Sequence, residues 1–139
     1  MIKFEVRGNP VPKPRMTRRD KWLKRPIVER YWEYSTRLQQ AYVKEINKLG
    51  MGVRQAVITL GVRFFIVGSL NVCDIDNCMK GITDALVRIG AVENDTMKYV
   101  RGYRYVDVVW VCETCGSMNK CNKVKICDRG KTEILIGGV

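Results

Sequence analysis

The segment from Ile75 to Ile89 limits the possible folds of this chain more than any other. Ile75, Cys78, Met79, Ile82, Ala85, Leu86 and Ile89 recur at i, i+3, i+4 and i+7, and Gly90 follows. A helix with 3.6 residues per turn collects these side chains into one apolar stripe, and glycine stops it. A helix this short gains most of its stability by burying its stripe against another element. The surrounding sequence supplies strands for that purpose. Residues 2–7 alternate apolar and polar, as a half-buried strand does. Residues 56–67 place Ala56, Ile58, Leu60, Val62, Phe64 and Ile66 on one face, and the other face is apolar enough for a central strand. Residues 98–111 alternate again, and residues 132–136 form a short last strand.

A further helix is expected after Pro26, which suits a first helical turn. Its stripe reads Val28, Tyr31, Trp32, Leu38, Tyr42, Ile46 and Leu49, with Gly50 and Gly52 at its end. The order β-α-β-α-β-β predicts a compact α/β (α+β) domain with a mixed sheet and helices packed on it. At 139 residues the chain is one domain's worth, residues 1–139. A Cys-rich hairpin is expected as an insertion at about residues 111–131.

The net charge is +11, which points to a polyanionic partner, although a merely solvated basic surface gives the same total. There is no histidine. That excludes histidine general bases, Ser-His and Cys-His nucleophilic systems and imidazole zinc ligands. The first residues carry charge where a signal peptide would be apolar, and the stretch from Gln55 to Leu70 is too short to span a bilayer and is broken by Arg63. The expectation is a soluble, intracellular (cytoplasmic) protein.

The candidate chemistry lies in Cys73-Asp74-Ile75-Asp76-Asn77-Cys78-Met79-Lys80. If Asp74 and Asp76 alternate around a core-anchored Ile75, both carboxylates project the same way. Two carboxylates held that close repel unless a cation lies between them, and magnesium prefers oxygen ligands beside phosphates. Lys80 follows Asp76 by four residues, and Asp84 follows Lys80 by four, so all three share a helix face. A lysine there can offset charge on a phosphate. Glu93-Asn94-Asp95 returns a further carboxylate after the helix. The plainer alternatives are an aspartate N-cap and a surface ion pair for Lys80.

Asp74-Ile75-Asp76-Asn77, Lys80, Asp84-Ala85-Leu86, Gly90 and Asn94-Asp95 resemble the signature of the RusA family of Holliday-junction resolvases. Gly8-Asn-Pro-Val-Pro-Lys-Pro-Arg, the aromatic-rich helix after it and the strand before Asp74 resemble that family too, so the likeness covers about residues 2–110. The resemblance implies that Asp74, Asp76 and Asp95 hold magnesium, with manganese as a substitute, and that Lys80 is the catalytic lysine. It gives Asn77 and Asp84 supporting roles, Asp84 capping or pairing with Lys80. It implies a homodimer that nicks a four-way junction symmetrically, in DNA recombination and repair, leaving a 5′ phosphate and a 3′ hydroxyl. The family often carries two adjacent aspartates where this chain has Asn94-Asp95.

Between Lys13 and Arg25 the chain has seven basic residues and one acidic one. Lys13, Arg15, Arg18, Arg19 and Lys21 are candidate phosphate contacts, and Trp22 is either a wedge at a branch point or a packing residue. Cys112, Cys115, Cys121 and Cys127 fall within sixteen residues. They are candidate ligands for a structural zinc, with a hairpin disulfide or free thiols as alternatives. Cys73 and Cys78 read as core thiols. Two other functions remain: a non-catalytic basic nucleic-acid-binding module with a Cys-zinc hairpin, and a nuclease that prefers flaps or forks.

Overall fold

The computed structural model describes residues 1–15, 19, 25–68, 74–112 and 130–138. The elements follow the order β1 (Ile2–Arg7), α1 (Pro26–Leu49), β2 (Ile58–Val67), α2 (Ile75–Ile89), β3 (Val100–Cys112) and β4 (Lys131–Gly138). The order and type of every element match the sequence reading, with ends displaced by one or two residues.

The four strands form one sheet in the order β1-β4-β2-β3. β4 is antiparallel to both β1 and β2, whereas β2 and β3 are parallel. Thus β1, β2 and β3 run in one direction and β4 runs against them. The helices α1 and α2 are the crossovers between parallel strands. Right-handed crossovers taken in one direction place both helices on the same face of the sheet. The core agrees: Ile2, Phe4 and Val6, then Ile58, Leu60, Val62, Phe64 and Ile66, then Ile134 and Ile136, all buried, meet Leu38, Tyr42 and Ile46 of α1 and Met79, Ile82 and Leu86 of α2. The opposite face carries a polar ladder. Lys131 bridges Glu5 and Glu133 at 3.1 Å each, and Arg63 reaches Asp107 at 3.3 Å. Such exposed pairs contribute little stability.

The Pro26 start places proline in the first turn of α1, and Gly50 closes that helix at φ 68°, a left-handed conformation that glycine adopts without cost. The buried face of α1 departs from expectation. It runs through Val28, Tyr31, Tyr34, Ser35, Leu38, Tyr42 and Ile46, while Trp32 and Leu49 are exposed. A step of 3.6 takes the stripe from Tyr31 to Tyr34 and Ser35, so Trp32 lies outside it. Trp32 is covered instead by Arg88, whose guanidinium lies 3.8 Å from the indole centroid. Tyr34 ties α1 to the sheet through a 2.6 Å hydrogen bond between its hydroxyl and that of Thr132.

Among the described residues no helix is long and apolar enough to cross a membrane. The hairpin expected at residues 111–131, the side chain of Cys112, and Cys115, Cys121 and Cys127 lie outside what is described, as do Arg18, Lys21, Trp22 and Cys73.

Candidate functional site

α2 begins at Ile75, with Asp74 as its N-cap in extended conformation at φ −73° and ψ 140°. The helix therefore starts inside the acidic cluster. This corrects two expectations. Ile75 is not a core anchor but is half exposed. Asp74 and Asp76 do not follow strand alternation, because Asp76 is already in the first helical turn. The residue that does share a face with Asp76 is Lys80, one turn further on.

The N-cap alternative for Asp74 also fails in its specific form. Its backbone carbonyl accepts the first helical bond from the Cys78 N–H at 3.0 Å, yet its carboxylate makes no capping hydrogen bond. Asp74 and Asp76 are both exposed.

At the far end of α2, Gly90 adopts φ 83° and the buried pair Ala91 and Val92 turns the chain back toward the sheet. The following turn carries Asp95. The amide side chain of Asn94 accepts a hydrogen bond from the Asp95 N–H at 2.7 Å. The residue at the first position of the expected aspartate pair thus holds the backbone of the second.

These segments meet in an open cleft of about 410 Å³ lined by Ile75, Asp76, Met79, Lys80, Thr83, Asp95, Tyr103 and Val106. Three of the four expected catalytic residues, Asp76, Lys80 and Asp95, share it. Asp74 is not among the lining residues. Two negative carboxylates and one ammonium face the cleft, and among the described residues none of the three side chains has an ion-pair partner. Among the described residues no three acidic or thiol side chains are grouped as a metal site would group them. The pair Asp76 and Asp95 still suits magnesium, which is commonly held by one or two carboxylates, with water and phosphate oxygens completing the shell.

Asp84 pairs with Lys13, not with Lys80. The pairing is part of a docking contact. The Lys13 N–H donates to the Asn77 carbonyl at 3.3 Å. At Gly81 an added Cβ would lie 3.3 Å from the Tyr31 ring and 3.7 Å from the Val11 carbonyl. The tight approach at Gly81 is that of the Tyr31 ring, and the backbone of the N-terminal arm lies at ordinary contact distance over it. Tyr31 beneath it has its phenol pKa raised, first by burial and then by the Asp84 charge. Lys13 is therefore engaged within the protein, and it anchors the start of the basic segment on α2. Arg15 and Arg19 are exposed, and Arg25 closes the base of the segment by donating to the Arg15 carbonyl at 2.9 Å.

Cys78 is disulfide-bonded, where the sequence reading expected a core thiol. The sequence reading also missed Tyr103 and Val106. β3 pairs with β2 through register shifts, Thr59 facing Gly102, Leu60 facing Tyr103 and Gly61 facing Tyr105. Arg101 and Arg104 are the extra residues. These bulges bring Tyr103 and Val106 to the cleft face despite their odd spacing. Gly102 within a strand was the available signal. Against models of protein families and against curated proteins, the chain matches none.

Proposed function

We propose that this chain is a magnesium-dependent endodeoxyribonuclease that acts on branched DNA, with its chemistry in the cleft between α2 and β3. One observation carries the reading: Asp76 and Lys80 from the start of α2 and Asp95 from the turn after it line one open cleft without ion-pair partners among the described residues. Two carboxylates without partners on one cleft are free to take a cation, and magnesium is commonly held by one or two carboxylates.

Asp76 and Asp95 would hold the metal, and Asp74, at the helix start, is the third carboxylate that the resemblance to RusA-type resolvases assigns to it. When bound, magnesium supplies positive charge that polarises a phosphodiester and makes water more acidic. Lys80, one turn from Asp76, offsets charge on the phosphate as the bond breaks. Asp84 leaves Lys80 available for this because it is committed to Lys13. Arg15 and Arg19 hold DNA by its phosphates, supported by the chain's net charge of +11. The four-way junction and the homodimer come from the family resemblance. A two-fold dimer presents two equal sites to a substrate of two-fold character.

The test is a panel of four-way junction, flap, fork and plain duplex, each incubated with and without magnesium, for wild type, Asp74→Asn and Asp76→Asn. The expected result is magnesium-dependent cleavage of the junction by wild type, none by either variant, and retained junction binding by both. Full activity in Asp76→Asn refutes the assignment of the cleft.

A further inference from the structure

The cleft has an apolar half that phosphate chemistry does not require. Beside Asp76, Lys80 and Asp95 the lining includes Ile75 and Met79 of α2 and Tyr103 and Val106 of β3. Tyr103 stands on the core face of the sheet, directly across from Leu60, which is fully buried. Tyr103 itself is 53% exposed, and among the described residues its hydroxyl has no hydrogen-bond partner. Ile75 beside it is 50% exposed. A flat aromatic ring and an aliphatic side chain are thus both solvent-exposed in a cleft that also presents two carboxylates and a lysine.

We propose that Tyr103 is a stacking platform for one unpaired nucleobase flanking the phosphate at Lys80. The proposal rests on the nuclease reading for the identity of that phosphate. Three features fix the occupant. Lys80, with a cation that Asp76 and Asp95 would hold, suits an anionic group, and the exposed Tyr103 ring suits a flat apolar one, which together describe a nucleotide. The cleft, at about 410 Å³, lies near the low end of small-ligand sites. That space accommodates one nucleotide whose base has turned toward Tyr103. A base that reaches Tyr103 has therefore left its stack, which costs least at a branch, a fork or a frayed end. Tyr103 in this way ties the cleft's chemistry to disrupted DNA, where the exposed arginines alone read only phosphates.

The experiment compares binding of a six-residue oligodeoxythymidine with binding of an abasic hexamer of the same charge, at fixed salt and with magnesium present. Wild type is expected to prefer the base-bearing oligomer by about 5- to 150-fold, the range that loss of one base-aromatic stack produces. Tyr103→Phe keeps the ring and the preference. Tyr103→Ala loses most of the preference while keeping its affinity for the abasic hexamer and its melting temperature. Absence of any preference in wild type, or its persistence in Tyr103→Ala, overturns the proposal. Junction cleavage is scored in parallel: a base preference that depends on Tyr103 without cleavage supports the platform and counts against the nuclease reading alone.

Discussion

Replacing Thr132 with valine would test how α1 is fastened to the sheet. The Tyr34 and Thr132 hydroxyls lie 2.6 Å apart, Thr132 is fully buried and Tyr34 nearly so. Thr132→Val leaves the shape almost unchanged but strands the phenol. A buried polar group left without a partner costs about 1–3 kcal/mol. For a chain of this size, each kcal/mol lowers the melting temperature by roughly 3–5 °C. Removing both hydroxyls, as in Tyr34→Phe with Thr132→Val, takes away the stranded group as well, so the double variant should be less destabilised than the two single variants added together. The coupling is expected at about 1–2 kcal/mol. Urea unfolding followed by circular dichroism measures all four proteins.

The same tyrosine gives the pH arm of that test. Burial pushes the Tyr34 phenol up from 10.0 to about 12, opposed in part by the Thr132 hydrogen bond and by Arg37. A pKa higher in the folded than in the unfolded state means that the folded protein holds its proton more tightly. The associated stability is complete below pH 10 and is lost between pH 10 and 12. Two units correspond to roughly 3 kcal/mol. Wild type should lose stability relative to Tyr34→Phe across that interval. Parallel curves for the two proteins, or strictly additive single variants at neutral pH, would refute the account of a buried, mutually satisfied pair.

Lys80→Met should lower the junction cleavage rate by about 10²- to 10³-fold with little change in junction affinity, because its charge matters most as the phosphate bond breaks; single-turnover kinetics separate the two. Asp84→Asn should cost about 1 kcal/mol in urea unfolding and release Lys13, and limited proteolysis of the N-terminal arm should become faster. In the absence of divalent ions, Asp76→Asn should bind a four-way junction more tightly than wild type, since one repelling carboxylate is gone; a filter-binding titration in chelator that shows weaker binding would count against a cleft that phosphate enters.

The parts of this molecule that could be read in the sequence are those set by periodicity. The stripe through Cys78, Met79, Ile82, Ala85 and Leu86 specifies α2 because burial selects residues at helical spacing, and Gly90 marks its end. The strand order was not legible. β4 inserts between β1 and β2, a pairing across more than 120 residues on one side and about 70 on the other, and no local pattern encodes it. At the site, the start of the helix at Ile75 and the shared face of Asp76 and Lys80 were legible, and the error lay in applying strand alternation to residues 74–76 as well. Ile75 carries an apolar side chain at helical spacing from Cys78 and Met79, yet in the first turn it is half exposed. Asp84 misled for a different reason: its spacing from Lys80 was correct for pairing, but Lys13, 71 residues away, takes its carboxylate. Tyr103 was hidden by bulges that displace the alternation of β3.

On the proposed reading, the arrangement would separate holding DNA from cutting it. Attraction comes from the chain's excess of 25 basic over 14 acidic residues, including the exposed Arg15 and Arg19 near the docked N-terminal arm. Such contacts weaken as salt rises. Inside the cleft the balance is reversed, with Asp76 and Asp95 facing Lys80 alone. The start of α2 compensates in part, because a helix N-terminus favours negative charge within its first turn, where Asp76 lies. It cannot compensate for a phosphate as well, since the phosphate would draw on the same positive end. A divalent cation held by Asp76 and Asp95 would resolve the conflict by supplying the positive charge that the carboxylates and a phosphate both need. On this reading, salt governs how much DNA is bound, and the cation decides whether the phosphate of bound DNA can settle beside Asp76 and Asp95.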